Sequence, residues 1–208
     1  MRNVLIVTFL VLASPALAQS KMDKAAAQAA SVTLIAKADA GEIFTPGAWE
    51  WGPTARHERS GMLCLFASNA YANSITINDP EPTRGDDVSC RTIVGGAIFS
   101  HFASRASLVG GYPNVVAMAP QALKARLGEV KSYSGKTFDL PGKDMPPLHI
   151  ERFMTDQRGA LLYERVAVMD TGDWVITQRV TAPIASGPAA DRLAGINLGA
   201  IAASMHSQ

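Results

Sequence analysis

The second half of the chain carries the feature that most restricts its fold, a series of three strand patterns separated by tight turns. The patterns cover Leu148–Thr155, Ala160–Met169 and Trp174–Ala182. The connections between them, residues 156–159 and 170–173, each contain a glycine, which readily adopts the positive φ of a hairpin turn. Polar and apolar residues alternate along the third pattern, as in an antiparallel strand with one face on a core. The sequence therefore predicts an antiparallel three-stranded unit here.

Helical patterns stand at both ends of the mature chain. Lys21 to Ala38 is rich in alanine and free of glycine and proline, which favours a helix. A second helix is predicted to begin at Ser186–Pro188, with Asp191 near its positive end. The apolar stripes expected to face a sheet are Ala25, Ala29, Val32, Ile35 and Ala36 in the first helix and Leu193, Ile196, Ala200 and Ala203 in the second, the latter widened by Leu198, Ile201 and Met205. We predict a single α+β domain over residues 19–208, a mostly antiparallel sheet with N-terminal and C-terminal helices packed on it.

The middle of the chain contains further strand patterns. Val88–Val94 and Ala97–Ala103 form a predicted hairpin around Gly95 and Gly96. Ser107–Ala119 contains two adjacent glycines and a proline and is interpreted as a connection before a short helix that starts at Pro120. The other predicted elements are strands at Thr54–Phe66, Asn73–Asn78 and Tyr133–Asp139, and the short helix is expected to end at Leu127.

The first residues have the pattern of a secretory signal peptide. A basic start at Arg2 is followed by the apolar run Val4–Leu12 and by Ala16-Leu17-Ala18, an A-x-A cleavage pattern. We expect removal of residues 1–18, a mature chain that begins at Gln19, and a periplasmic or secreted location. An uncleaved anchor or an apolar strand are the alternatives. No later segment is apolar over the length that a transmembrane helix needs, so no transmembrane segment is predicted in the mature chain.

Two cysteines, Cys64 and Cys90, remain after the signal peptide is removed. An even number of cysteines in an oxidising compartment favours a disulfide between them. The alternative is a metal site, but the four histidines are scattered and none forms an HxxxH pattern or stands in a CxxC context. We predict a disulfide and no metal site.

Charge excludes one class of partner. Without Arg2, the mature chain has 18 basic residues against 18 acidic ones, and no cluster of lysine or arginine remains to neutralise a phosphate backbone. Nucleic acid is therefore not an expected partner. We expect instead an envelope protein or a small ligand, neither of which the residues identify.

The motifs of common catalytic and cofactor sites are missing from the sequence. There is no G-x-S-x-G elbow for a nucleophilic serine, and no glycine-rich phosphate loop, so no cofactor is predicted. His57 and Ser60 are close in sequence, but within one continuous strand they would point to opposite faces. Paired carboxylates stay open as an alternative, because they need only meet in space.

One segment combines side chains that often bind ligands. Trp49 and Trp51 offer flat aromatic surface, Arg56 and Arg59 offer cationic donors, and His57 offers an imidazole. We interpret these five residues as a candidate ligand site on a loop that enters the sheet. The alternative is that both tryptophans cover an edge of the core.

The end of the chain resembles a known family. Asp173–Pro183 followed by a helix resembles the final strand and helix of PsbP-like domains, and the mature chain also resembles small uncharacterised secreted proteins of Gram-negative bacteria. The PsbP-like resemblance implies an antiparallel sheet with helices on both faces and a role in binding or assembly. It supplies no catalytic residue. We therefore favour a non-catalytic periplasmic binding or envelope-assembly protein, with a small secreted hydrolase as the alternative.

Overall fold

A seven-stranded antiparallel sheet organises the structure, a computed structural model that describes residues 21–68, 72–138 and 145–205. The strand order is β4-β5-β6-β10-β9-β8-β7, and a smaller sheet has the order β1-β2-β3. The strands are β1 Phe44–Trp49, β2 Gly52–His57, β3 Leu63–Leu65, β4 Ser74–Ile77, β5 Asp87–Val94, β6 Ala97–Arg105, β7 Val130–Ser132, β8 Leu148–Gln157, β9 Ala160–Asp170 and β10 Trp174–Pro183. The helices are α1 Lys24–Lys37, α2 Ala106–Val109, α3 Gly111–Leu127 and α4 Gly187–Met205, the last preceded by a 3-10 turn at Ile184–Ser186.

The predicted three-stranded unit is confirmed as β8, β9 and β10. β10 pairs with β9 on one side and with β6 on the other, so it joins the C-terminal strands to the β4-β5-β6 strands. The hairpin of β5 and β6 is also confirmed, with Gly95 and Gly96 at positive φ in its turn. The predicted fold class, a single α+β domain with helices at both ends of the described chain, is correct.

The two faces of the large sheet are covered by different elements. Because successive strand residues point to opposite sides, Gln178 and Arg179 on β10 mark the two faces. We call the face that includes Gln178 the α4 face; α4 and the small sheet pack on it around a large apolar cluster. We call the face that includes Arg179 the α3 face; α3 packs there on β8, β9 and β10.

α1 forms as predicted, but a different side of it is buried. The carboxylate of Asp23 caps its first turn by accepting from the backbone N–H groups of Ala25 and Ala26. The residues that face the small sheet are Ala27, Ser31, Leu34 and Ile35, whereas Val32 is 50% exposed. The predicted stripe missed Ser31 because it counted only apolar residues. The Ser31 hydroxyl donates to the carbonyl of Thr54, which lets a polar residue face the sheet.

α4 shows the same kind of difference. Its buried side contains Ala190, Ala194, Leu198, Ile201 and Ala202, while Ile196 is 50% exposed. Small residues let this helix lie close to the sheet. A Cβ added to Gly187 would lie 3.2 Å from atoms of the Tyr163 side chain on β9.

The helix expected from Pro120 to Leu127 is confirmed as the second half of α3, but the connection expected at Ser107–Ala119 was wrong. The helix begins at Gly111, so the expected connection is helical and Pro120 lies inside the helix. Gly110 separates α2 from α3 and Gly111 is the first residue of α3, both at positive φ; Pro113 lies in the first turn, where a missing N–H breaks no helical hydrogen bond. Pro120 is buried, and α3 continues through it despite the loss of one backbone hydrogen bond.

Two strand predictions also need correction. The strand expected at Tyr133–Asp139 does not form over residues 133–138, and Asp139 lies outside the described residues; the short strand β7 precedes this segment and ends at Ser132. The single strand expected at Thr54–Phe66 is a hairpin, because the chain turns after His57 and returns as β3, which pairs antiparallel with β2. The signal peptide predicted for residues 1–18 lies outside the described residues.

The predicted disulfide is confirmed. It joins Cys64 on β3 to Cys90 on β5, with the Cα atoms 6.0 Å apart, and so links the small sheet to the α4 face of the large sheet. Within the described part of the chain, no helix has the length and apolar character needed to cross a membrane.

Candidate functional site

The candidate residues at the β1–β2 hairpin are both tryptophans. Trp49 ends β1 and is half-buried, and its indole Nε1 has no hydrogen-bond partner among the described residues. Trp51 lies in the turn and is also half-buried, with the Lys21 ammonium 5.6 Å from its ring centroid. The pair therefore lies at one end of the small sheet.

The other three candidate residues make separate contacts. Arg56 donates to the carbonyl of Ser204 on α4 at 3.0 Å, and Arg59 forms an ion pair with Asp86 at 2.9 Å. His57 is fully buried. The length of β2 separates Trp51 from Arg59, roughly 20 Å at 3.3 Å per residue. The structure does not gather the five residues around one cavity, and their role in ligand binding stays a prediction.

His57 and Ser60 correct the expectation that they point to opposite faces. The turn after β2 brings the Ser60 hydroxyl to 2.7 Å from His57 Nδ1, and the Ser60 backbone N–H also points at that nitrogen. Burial is the main cause that lowers the His57 pKa to about 4, so the imidazole is neutral near pH 7. Both residues are almost inaccessible, at 0% and 5% exposure. The pair holds the turn in place and is closed to a substrate.

A buried polar network lies under α4 on the large sheet. Asp191 of α4 is fully buried, and its carboxylate lies 2.9 Å from Arg152 Nε and 3.2 Å from Arg165 Nε. The Tyr163 hydroxyl donates to the same carboxylate, as does the backbone N–H of Phe138. These donors hold the pKa of Asp191 below its ordinary value although burial acts in the opposite direction. The charge of Asp191 is therefore matched by partners inside the protein.

The same network continues across β10 to β6. The Arg165 guanidinium donates to Oε1 of Gln178, whose Nε2 donates to His101 Nε2 at 3.0 Å and to the carbonyl of Ala194 on α4 at 3.0 Å. Burial, reinforced by Arg165, lowers the His101 pKa to about 4. Arg165, Gln178 and His101 are at most 1% exposed. This network is enclosed and binds α4 to the sheet.

An open groove lies on the opposite, α3 face. There α3 covers β8, β9 and β10, while the side chains of β5 and β6 stay half-exposed or exposed. The main cavity of the groove measures about 510 Å³. Its walls are mostly apolar side chains of α2 and α3, and its floor is formed by Thr177 and Arg179 of β10; the principal apolar residues are Leu108, Val115, Met118, Ala119 and Ala122.

Two smaller cavities extend this groove over β5 and β6. One, of about 310 Å³, reaches Asp87 and shares Val115, Thr177 and Arg179 with the main cavity. The other, of about 230 Å³, also includes Arg179 and lies between Arg91 and Arg126. The three cavities form one groove beside α3, with a carboxylate at one end and arginines at the other.

The arginine end of the groove has few internal partners. Arg179 stacks on the ring of Phe102 at 5.0 Å, and its buried Nε has no hydrogen-bond partner among the described residues. Burial and then the nearby charge of Arg126 lower the pKa of Arg179. Arg126 lies 3.5 Å from Glu164, a buried carboxylate whose own pKa is raised by burial. Sequence patterns did not indicate this groove, because Ser107–Ala119, which includes α2 and the first half of α3, was interpreted as a connection.

The comparisons with known proteins define no family. No protein-family model matches the chain, and no curated protein matches it, so the PsbP-like resemblance stays a prediction. Solved structures with some similarity include a protein of unknown function from Pseudomonas aeruginosa, suggested to be a regulator, at 12% identity and a TM-score of 0.35, covering 70% of this chain and 86% of that chain. Another is LpqN of Mycobacterium tuberculosis, described as involved in cell envelope biogenesis, at 13% identity and a TM-score of 0.28, covering 66% of this chain and 84% of that chain. Similarity at this level does not define a shared function.

Metal ligands are not clustered in the part of the chain that the structure describes. Residues 21–68, 72–138 and 145–205 contain no group of three or more His, Cys, Asp or Glu side chains that could hold a metal ion.

Proposed function

We propose that this chain is a non-catalytic, extracytoplasmic binding protein that takes an apolar or amphiphilic small ligand in the groove beside α3. The observation that carries the proposal is the main cavity, about 510 Å³, between the apolar side of α2 and α3 and the floor of β10. Small-molecule sites are typically concave, mostly apolar and a few hundred Å³ in volume, with a small number of polar groups.

The exposure of apolar side chains at the groove supports this proposal. Leu108 and Met118 are 50% and 56% exposed, and both line the main cavity. Methionine is flexible and polarisable, so it adapts well to ligands of irregular shape. Exposed apolar side chains that are grouped along a concave surface, rather than scattered singly, are a common mark of a binding site.

The location that we propose is periplasmic or secreted, for a single domain spanning residues 19–208. Support comes from the signal-peptide pattern of residues 1–18 and from the Cys64–Cys90 disulfide, which is favoured in oxidising compartments. The resemblance of Asp173–Pro183 to PsbP-like domains is compatible with a binding or assembly role. Within the envelope, the partner would be the ligand itself or a protein that delivers it.

The proposal is tested with N-phenyl-1-naphthylamine, a neutral probe that fluoresces in apolar surroundings. Two variants close the groove: Ala122→Trp fills it, and Met118→Glu places a carboxylate in its wall. We expect each to weaken probe binding by about tenfold or more, because apolar contact area is lost or a charge is desolvated. The matched control is Ile196→Glu, since Ile196 is also a 50% exposed apolar helix residue but lies on α4.

Two results would contradict the groove as the site. One is unsaturable or absent binding of the probe to the wild type. The other is equal loss of binding in the Ile196→Glu control, which would indicate a general effect on the fold. Thermal unfolding of each variant shows whether the fold is retained.

A second candidate site is the segment with Trp49, Trp51, Arg56, His57 and Arg59. The half-buried Trp49, whose Nε1 lacks a partner among the described residues, together with the half-buried Trp51, favours it. The same titration with Trp51→Ala distinguishes the two sites. Loss of probe binding in Trp51→Ala, with normal binding in Ala122→Trp, would move the site to this segment.

A further inference from the structure

The arginine end of the groove has a defined geometry on the sheet. Arg91 of β5 and Arg179 of β10 both lie opposite Ser100 of β6, so the three residues form one row on the α3 face. Arg126 of α3 enters the same small cavity from the helix side. Three guanidinium groups from three different elements therefore line a space of about 230 Å³.

The internal carboxylates do not balance these cations. Glu164 lies 3.5 Å from Arg126, and its Oε2 also accepts from the Thr181 hydroxyl. Among the described residues, no carboxylate lies within ion-pair distance of Arg91 or Arg179. A site with three cations and a single buried carboxylate has a net positive charge and attracts an anion.

The opposite end of the groove has a different charge. Asp87 lies four positions before Arg91 on β5, and its carboxylate accepts from Ser104 at 2.9 Å. Between the two ends lies the apolar wall of α3. From Val115 to Arg126 this wall is about 16 Å long at 1.5 Å per helical residue. The groove is therefore elongated and mostly apolar, with Asp87 at one end, Arg91 and Arg126 at the other, and Arg179 bordering all three cavities.

We propose that the ligand of this groove is a single-chain amphiphile with one carboxylate head group, of the fatty-acid class. The head group lies between Arg91, Arg126 and Arg179, and the alkyl chain lies along α3 toward Leu108. Arginine fits a carboxylate because its planar N–H donors match both oxygens. Asp87 disfavours the reverse orientation, since it would face the anionic head. This inference rests on the proposed function and names the ligand class for the same site.

The experiment measures displacement of N-phenyl-1-naphthylamine from the full mature chain by dodecanoate and, in parallel, by dodecanol. The two competitors have the same chain length and differ in the charge of the head group. In the wild type we expect dodecanoate to displace the probe at a concentration about tenfold lower than dodecanol, as one or two charge-assisted hydrogen bonds would give. In Arg179→Gln and in Arg91→Gln this preference should fall toward equality, measured as the ratio of the two displacing concentrations, so that a change in affinity for the probe itself cancels.

The control variant is Lys124→Gln. Lys124 is a cation on the same helix, but it lies over the ring of Phe153, 5.7 Å from its centroid, and does not line the groove. It should keep the wild-type preference for dodecanoate. Arg91 is exposed, so Arg91→Gln remains informative even where Arg179→Gln fails to fold.

The outcomes separate the two proposals. Saturable probe binding with no preference for dodecanoate, or a preference that survives both arginine substitutions, overturns the carboxylate assignment and leaves the groove as a binding site. Absence of probe binding overturns the proposed function itself. Co-sedimentation with phosphatidylglycerol vesicles that is lost in Arg91→Gln would also overturn the assignment, in favour of a membrane surface.

Discussion

Gln178 and Arg179 are neighbours on β10, but their side chains lie on opposite faces of the large sheet. The arginines of the two faces differ in burial and in their partners. On the α4 face, Arg165 is fully buried and lies between the carboxylate of Asp191 and the amide oxygen of Gln178. On the α3 face, Arg179 is half-buried, stacks on Phe102 and borders an open groove. The charged network of the α4 face is enclosed by protein, whereas Arg179 on the α3 face borders an open groove.

The difference separates charges that serve the fold from charges that can serve a ligand. A buried ion costs several kcal/mol of desolvation, so a fold that keeps one must supply matching partners. Asp191 has such partners in Arg152, Arg165 and Tyr163. Arg179 and Arg91 have no carboxylate of their own in the described chain, and they lie beside a cavity. Because these two arginines lack carboxylate partners among the described residues and border an open groove, we favour the α3 face as the ligand site.

The largest expected effect on stability comes from a substitution in the buried network of the α4 face. Asp191→Asn removes the carboxylate and leaves Arg152 and Arg165 buried without its charge. We expect a loss of about 3–5 kcal/mol in the free energy of unfolding, the usual cost of removing one partner of a buried ion pair. Arg179→Gln on the open face should stay within about 1 kcal/mol of the wild type. Urea unfolding near neutral pH measures both.

A surface pair serves as the control for that comparison. Lys21 and Glu50 form an ion pair with side chains 71% and 56% exposed, so Glu50→Gln should change stability very little. Equal destabilisation by Asp191→Asn and Arg179→Gln would remove the distinction between the two faces.

The disulfide gives the next largest effect, and it also acts on the α4 face. Replacing both Cys64 and Cys90 by serine removes a crosslink across 26 residues. The chain-entropy estimate for such a loop is about 3.5 kcal/mol, which strain in the folded protein would reduce. We expect lower stability but normal binding of the neutral probe below the unfolding transition, because the groove lies on the other face. Loss of probe binding by folded, disulfide-free protein would contradict the separation of the faces.

The smallest effect concerns pH. His57 and His101 titrate near 6.5 in the unfolded chain and at about 4 in the folded protein, because burial disfavours their charged form. Between these values the unfolded chain takes up protons that the folded protein does not. Stability should therefore be highest above pH 6.5, fall toward pH 4 and change little with these groups below it. The loss is about 3 kcal/mol for each histidine at 1.36 kcal/mol per pKa unit, which makes it the smallest of the three effects when counted per residue.

Variants identify the histidines responsible. Urea unfolding at about pH 7 and about pH 4 should show a smaller pH-dependent loss in His101→Gln than in the wild type. His149→Gln replaces a histidine whose side chain is 39% exposed and provides the control. An unchanged pH dependence in His101→Gln would show that burial does not lower the pKa of His101 as inferred.

The sequence predicted correctly those elements that are determined by residues adjacent in the chain. Alternation and turn glycines were enough to identify β8, β9 and β10, because strand period and hairpin turns are properties of adjacent residues. The same logic failed at α3, where Gly110, Gly111, Pro113 and Pro120 resemble a series of breaks. Gly110 lies before the helix, Gly111 and Pro113 lie in its first turn, and Pro120 is buried in its interior. The packing of α3 on the sheet depends on residues far apart in the chain, which local patterns do not show.

The site was less accessible to sequence reasoning for a related reason. Asp191 and Arg152 are 39 residues apart, and Arg91 and Arg179 meet only through the order of the strands. The segment from Trp49 to Arg59 attracted attention because its side chains are adjacent in sequence, but β2 spreads them over its length. The alternation around Arg179 did assign it to the polar face of β10. Nothing in that pattern indicated that a helix would leave half of the face open.

The pairing of β6 with β10 has a consequence for when the groove exists. These strands supply its floor, and the residues that meet across them are far apart in the chain, as Gln178 and His101 are at 77 residues. Closing a loop of that length costs more entropy than forming either neighbouring hairpin, and contacts of high sequence separation slow folding. Neither the β4-β5-β6 strands nor the β8-β9-β10 strands alone supply all the residues that line the groove. A nascent or partly folded chain has no groove to occupy, so the ligand binding that we propose would be restricted to molecules in which β6 and β10 are already paired.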